Sequence, residues 1–198
     1  MTPIATRRGA ILAFGALLAG CAGPSFVEVA PGETVIKNRL AVTAGRAWNR
    51  FDSSAESNLH PVWTHDGFAL DTLRFYVGLK AGDLLAPTPS DKDGTKPLAY
   101  TAGMAPQDIV GLFESMISRD GSSFTLDKME PASLAGQPGV RFEYTSVRKG
   151  DEVVVRGVTW FAVKNGELFA LAFAAPRLGF FPRVLPEVEA IVRSARLV

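Results

Sequence analysis

The sequence predicts an α+β fold: an antiparallel β-sheet meander with flanking helices. Two observations carry this expectation. Residues 140–147 (Val-Arg-Phe-Glu-Tyr-Thr-Ser-Val), 153–163 and 168–174 are strand-like runs separated by the turn signals Lys149-Gly150-Asp151 and Lys164-Asn165-Gly166. Two other segments, one before and one after that meander, carry apolar residues at helical spacing instead. Strands, a helix, a strand meander and a last helix fit a layered α+β sandwich.

The elements follow in order. Residues 40–44, Leu-Ala-Val-Thr-Ala, read as an early strand, with Val35-Ile36 before it. After Trp48-Asn49-Arg50-Phe51, the polar run 52–58 reads as loop. Val62-Trp63-Thr64 is followed by the turn dipeptide Asp66-Gly67. Residues 68–79 then alternate with a phase change near Leu73, which predicts a bulged strand or two short strands. Residues 82–107 hold Pro87, Pro89, Pro97 and Pro106 and predict a long irregular loop, the first place to seek a binding site. Pro106-Gln107-Asp108 opens a helix, because proline and an acid both suit a first turn. Ile109, Leu112, Phe113, Met116 and Ile117 form its apolar face, and Asp120-Gly121 ends it.

Residues 124–129 predict a strand and residues 134–139 a connection into the meander. Asn165 and Gly166 tolerate positive φ, so they predict a tight hairpin. The last helix opens near Pro182. Its stripe is Val184, Leu185, Val188, Ile191, Val192 and Ala195, which packs on one sheet face.

The N-terminus predicts an address. Residues 1–8 end in Arg7-Arg8, and residues 10–19 are an apolar run too short to span a bilayer, as in a secretory signal. The pair Arg7-Arg8 resembles a twin-arginine export signal but lacks its usual aromatic, so an ordinary basic leader is the preferred reading. Leu18-Ala19-Gly20-Cys21 resembles the lipobox of bacterial lipoproteins, which implies cleavage before Cys21 and its acylation. The resemblance also implies outer-membrane placement, since Ala22 stands where an inner-membrane retention aspartate would be. The expected organisation is a signal peptide at 1–20, an acylated N-terminus and tether at 21–34, and one domain at 35–198.

Composition excludes some classes. Hydrophobic residues are 47% and charged residues 21%, so the chain is globular. It has 21 Lys and Arg against 20 Asp and Glu. Loss of the leader removes Arg7 and Arg8 and no acid, leaving a formal −1, which gives no footprint for nucleic acid. Cys21 is the only cysteine, so no internal disulfide forms, and acylation blocks the thiol.

The second half resembles the Mog1/PsbP-like α/β/α sandwich superfamily. The resemblance rests on a helix before a strand, Leu134-Ala135-Gly136-Gln137-Pro138-Gly139, a meander ending in Leu168-Phe169-Ala170-Leu171-Ala172-Phe173, and a helix closing on residues 191–196. It covers roughly residues 105–197, and more loosely the strands from about 35. That group includes bacterial envelope lipoproteins and lumenal extrinsic proteins of photosystem II. It implies a non-enzymatic binding or assembly module, and fold analogy selects no partner. The photosystem members' metal contacts have no matching motif here.

Candidate chemistry is sparse. His60 and His65 have opposite strand parity and too few fellow ligands for a metal site, so they read as polar residues at loop ends. Asp91-Lys92-Asp93-Gly94-Thr95 resembles a calcium loop. Aligning Gly94 on its glycine puts Tyr100 at the closing position, so it reads as a turn. No Gly-x-Ser-x-Gly elbow, phosphate-binding loop or dinucleotide fingerprint occurs. Glu143 with Asp151 or Glu152 reads as exposed-face and turn carboxylates. Phe180-Phe181 reads as a hydrophobic staple at the helix start, with exposure of one ring as the alternative.

The expected function is therefore a membrane-anchored, periplasm-facing lipoprotein acting as a non-catalytic binding or assembly factor. Its anchor is Cys21, and its partners are membrane lipid and an envelope protein. No catalytic residue, cofactor or metal is assigned. The alternative is a small-ligand-binding or hydrolytic protein with its site under the 82–107 loop.

Overall fold

The computed structural model describes residues 25–52, 59–87 and 97–198. The leader, Cys21 and the turn at 91–95 lie outside the described residues. The elements run β1 (Ser25–Val29), β2 (Gly32–Ile36), β3 (Leu40–Ala44), β4 (Trp48–Asp52), β5 (Val62–Thr64), β6 (Thr72–Leu79) and α1 (Pro106–Ile117). A short 3₁₀ turn, Ser118–Asp120, leads into β7 (Thr125–Leu134), β8 (Gln137–Val147), β9 (Val154–Lys164), β10 (Glu167–Pro176), α2 (Phe180–Ser194) and β11 (Arg196–Leu197).

Eight strands form one antiparallel sheet in the order β1-β4-β5-β6-β10-β9-β8-β7, and β11-β3-β2 form a small second sheet. Both sides of the large sheet are covered. On one side α2 and the small sheet enclose Trp48, Trp63, Phe75, Phe173, Val184 and Val188. On the other, α1 and the chain before it enclose Tyr76, Leu85, Tyr100, Phe113, Phe142 and Phe161. Strand β10 is buried on both faces: Phe169, Leu171 and Phe173 point one way, Leu168 and Ala170 the other. That double burial is why residues 168–174 read as an almost unbroken apolar run. Each large core side chain contributes roughly 1.5–3 kcal/mol through burial.

The meander behaves as its turn chemistry dictates. Asn165 and Gly166 take φ of 53° and 78°, the two positive values that a tight hairpin with right-handed strand twist requires. In α1, Ile109 and Phe113 are buried and Leu112, Met116 and Ile117 pack against them. Asp108 accepts from the Ala105 amide at its N-terminus. Gly111 lies inside this helix with open space where a Cβ would stand. Gly111→Ala should therefore stabilise the domain by about 0.5–1 kcal/mol, read as a raised urea midpoint with an unchanged slope.

Several expectations are corrected. The described part of the tether expected at 21–34 is largely strand: β1 pairs with β4 from Ser25, and β2 pairs with β3 from Gly32. Alternation there is weak because β1 is a sheet edge with one unpaired side. Residues 68–71 form a turn rather than a strand. The Asp71 carboxylate accepts from Thr64 Oγ1 and from the amides of His65 and Asp66, which fixes the bend. The bulge lies at Gly78 rather than Leu73. Ala170 faces Tyr76 while Leu168 faces Leu79, so β6 holds one extra residue, and Gly78 absorbs it at φ 65°. The connection expected at 134–139 is a two-residue turn, Ala135-Gly136, with Gln137, Pro138 and Gly139 already in β8. Finally, α2 stops at Ser194, and Arg196–Leu197 pair with β3 instead of extending the helix.

Candidate functional site

The 82–107 connection is not structureless at its base. Gly82 donates to Tyr100 O, Tyr100 to Asp83 O and Leu85 to Leu98 O, so its two arms zip into a short ribbon. The ribbon lies on the α1 side of the large sheet, where Leu85 and Tyr100 are buried.

His60 joins this ribbon to the sheet. It enters just before β5, packs its ring on Tyr76 at 4.5 Å, and donates through Nε2 to Leu84 O at 2.8 Å. That bond fixes the tautomer: Nε2 carries the proton and Nδ1 is a bare acceptor. Nδ1 has no partner among the described residues. The side chain is 4% exposed. Burial holds its pKa down to about 4, with Lys37 and Arg74 adding to the fall. The ring is thus neutral near pH 7.

Two clefts open on either side of this histidine. One, of about 360 Å³, is bordered by Lys37, Asp83 and Val77. The other, of about 250 Å³, runs between Arg74, Leu85, Pro87, Met116 and Ile117. Strand parity sends Arg74 to the same face as Tyr76. The Tyr76 hydroxyl donates to Met116 Sδ at 3.3 Å, which ties the sheet to α1 at the cleft floor. Arg119, in the 3₁₀ turn after α1, donates through Nη1 to Pro87 O at 2.9 Å, and its Nη2 is buried without a partner among the described residues. Neither Arg74 nor Arg119 has a carboxylate partner among the described residues, and the same holds for Arg50 and Arg177 away from the clefts. On the opposite face Arg141 bridges Glu130 and Glu143, and Glu143 also holds Arg156.

The other sequence candidates are dispersed. His65 lies against Trp48 on the α2 side, at 6.0 Å between rings, so the two histidines diverge as their parity predicts. No trio of His, Cys, Asp or Glu able to hold a metal occurs among the described residues. Glu143 is held by arginines on the sheet, while Asp151 pairs with Arg148 in the turn after β8, and they form no dyad. Phe181 is buried and stacks on Phe173 at 5.5 Å, while Phe180 is half-buried beneath Arg183. Leu178, just before them, is 80% exposed. Sequence reasoning missed Arg74 and Arg119. One sits in a strand and lines the cleft, the other in a turn bonded to the cleft's Pro87 wall, and only the tertiary fold brings them near each other.

No protein-family model matches the sequence, and no curated protein sequence does. Solved structures do match. The solution structure of cyanobacterial PsbP (CyanoP) from Synechocystis sp. PCC 6803 superposes with a TM-score of 0.56 at 16% identity, over 90% of this chain and 96% of that one. The fold is PsbP-like. The PsbP-like fold thus extends well beyond residues 105–197, into the N-terminal strands. Two further structures are more distant: one from Bacteroides thetaiotaomicron VPI-5482, with a TM-score of 0.48 at 10% identity over 86% of this chain and 49% of that one, and LpqN, involved in cell envelope biogenesis of Mycobacterium tuberculosis, with a TM-score of 0.35 at 11% identity over 90% and 87%. No described helix of this PsbP-like chain is long and apolar enough to cross a membrane.

Proposed function

We propose that this chain is an envelope lipoprotein, acylated at Cys21 and held on the outer membrane facing the periplasm, whose PsbP-like domain binds a partner rather than catalysing a reaction. The observation that carries the reading is Leu18-Ala19-Gly20-Cys21, placed after a short apolar run and a basic leader. The first strand starts at Ser25, so the domain would stand within a few residues of the anchor. Each buried methylene of an acyl chain contributes about 0.8 kcal/mol, so two or more chains hold the domain lastingly at the surface. The near-neutral charge balance argues for protein or lipid partners rather than nucleic acid.

The test is the intact mass of the membrane-fraction protein. The expected result is residues 21–198 plus diacylglyceryl and acyl groups, lost in Cys21→Ser. An unmodified full-length mass would overturn the anchor.

A second reading is supported by the His60 clefts: a small-ligand-binding protein with its site under the 82–107 connection. Binding suits the clefts better than hydrolysis. Covalent hydrolysis through an acyl-enzyme would need a nucleophile beside His60, and the described walls carry no Ser, Thr or Cys.

A further inference from the structure

We infer that the cleft between His60, Arg74 and residues 85–87 binds a short single-chain anionic amphiphile, its carboxylate or phosphate head on Arg74 and Arg119 and its apolar body against Leu85, Met116 and Ile117. The inference deepens the small-ligand reading and rests on it; it does not depend on the anchor.

Three observations converge. The first is charge. Arg74 lines the cleft, Arg119 is bonded to its Pro87 wall, and no Asp or Glu is among the described wall residues. Two guanidinium groups without a counter-charge among the described residues attract an anion, and a partly enclosed, low-dielectric wall strengthens the attraction over its value in water. Guanidinium groups also suit planar or tetrahedral oxyanions, because their forked donors bind two oxygens at once.

The second observation is unmet hydrogen bonding. Buried polar atoms are nearly always partnered. Here His60 Nδ1 and Arg119 Nη2 are both buried and unpartnered among the described residues; His60 lines the cleft, and Arg119 is bonded to its Pro87 wall. Arg119 Nη2 is a donor available to an oxyanion, whereas His60 Nδ1 is an acceptor that a water or a phosphate hydroxyl can meet. His60 stays neutral here, so it adds an acceptor and a rigid wall rather than a third charge. Asp83, whose charge acts on His60, lies in the other cleft and is engaged by the Lys80 amide at 2.8 Å.

The third is shape. The remaining walls are Leu59, Leu85, Ala86, Pro87, Met116 and Ile117. Methionine on a wall adapts to an irregular alkyl or aryl body. A volume of about 250 Å³ lies just under the roughly 300 Å³ at which small-molecule pockets usually begin. That size favours one short chain over a diacyl lipid.

The experiment is calorimetric titration of the full chain in phosphatidylcholine nanodiscs, which hold it whether or not Cys21 is acylated, with empty discs as the blank. The probes are octanoate, octyl phosphate, octanol and inorganic phosphate. Octanoate and octyl phosphate should bind saturably at one site, with octanol and inorganic phosphate each at least about tenfold weaker, since each lacks half of the recognition. Arg74→Gln and Arg119→Gln should each weaken octanoate and octyl phosphate by about tenfold. His65→Gln, on the opposite face, should leave them unchanged. Thermal melts of the two arginine variants should match the parent, which separates lost binding from lost folding. Equal binding of octanol and octanoate would keep a ligand site but overturn its anionic class. Inorganic phosphate binding as tightly as octyl phosphate would overturn the apolar body. No saturable binding of any probe would overturn the small-ligand reading itself, and unaltered affinity in both arginine variants would move the site elsewhere.

Discussion

Gly139→Ala is expected to destabilise the domain by about 3 kcal/mol, the upper end of the usual cost of overpacking. Gly139 pairs with Ala162 where β8 crosses β9, and a Cβ there would overlap the carbonyl oxygen of Phe161. That oxygen belongs to the backbone of an interior strand paired on both sides, so it cannot step back without breaking a ladder. Gly157→Ala should also be costly, but for a different reason. Its Cβ would overlap the buried Tyr144 ring, which Phe124 stacks against at 5.1 Å. The two differ in rescue. Shortening the obstacle, as in Gly157→Ala with Tyr144→Leu, should recover part of the loss. No side-chain change recovers Gly139→Ala. Urea midpoints of the single and double variants measure this. A Gly139→Ala protein within about 1 kcal/mol of the parent, on a total stability of about 5–15 kcal/mol, would mean that β8 and β9 do not approach as closely as described.

Legibility in the sequence tracked how local the determining physics was. The hairpin at Asn165-Gly166 is specified by two residues whose backbones accept positive φ, and it stands where expected. The two helices are specified by spacing within about four turns, and their buried faces follow the named stripes in part: Val110 and Phe181 are buried as well, while Leu112, Met116, Ile117 and Leu185 are only partly buried. Signals failed where a distant partner decided. Ser25–Val29 carries little pattern, yet β4 recruits it as an edge strand. Arg196–Leu197 looks like the tail of a helical stripe, yet β3 draws it into the small sheet. Residues 68–70 alternate like a strand, yet one carboxylate at Asp71 collects three donors and turns the chain.

The candidate site shows the same division. The 82–107 segment stood out from its prolines, and the structure does place clefts at its base. What lines them was not readable. His60 reads as a loop-end histidine, and its burial depends on Tyr76 beneath it and Leu84 across from it. Arg74 and Arg119 are separated by helix α1 and carry no motif. That neither pairs with a carboxylate among the described residues depends on the folded surface rather than on sequence neighbours, since Asp120 directly follows Arg119.

His60 should also make stability depend on pH, over a window that reaches higher than those of the shifted carboxylates. Its pKa is lowered from the ordinary 6.5 to about 4 by burial. Between those values the unfolded chain binds a proton that the folded chain refuses, so stability rises with pH there. The contribution is complete above about pH 6.5 and is lost as pH falls toward 4, amounting to about 3 kcal/mol over the window. Other groups act lower. Asp120, Glu130 and Glu167 have pKa values depressed by, first, hydrogen bonds from Ser122, Lys128 and Arg39 respectively, so their stabilisation is present above their ordinary values and fades in stronger acid. The comparison protein is His60→Gln, whose amide can still donate to Leu84 O but never takes a charge. Urea midpoints of the two proteins from pH 7.5 to 4.5 should run parallel above about pH 7 and converge or cross below 6, as the wild type loses stability and the variant does not. Parallel curves through the whole range would mean that His60 is solvated in solution, and would remove the closed wall on which the ligand site depends.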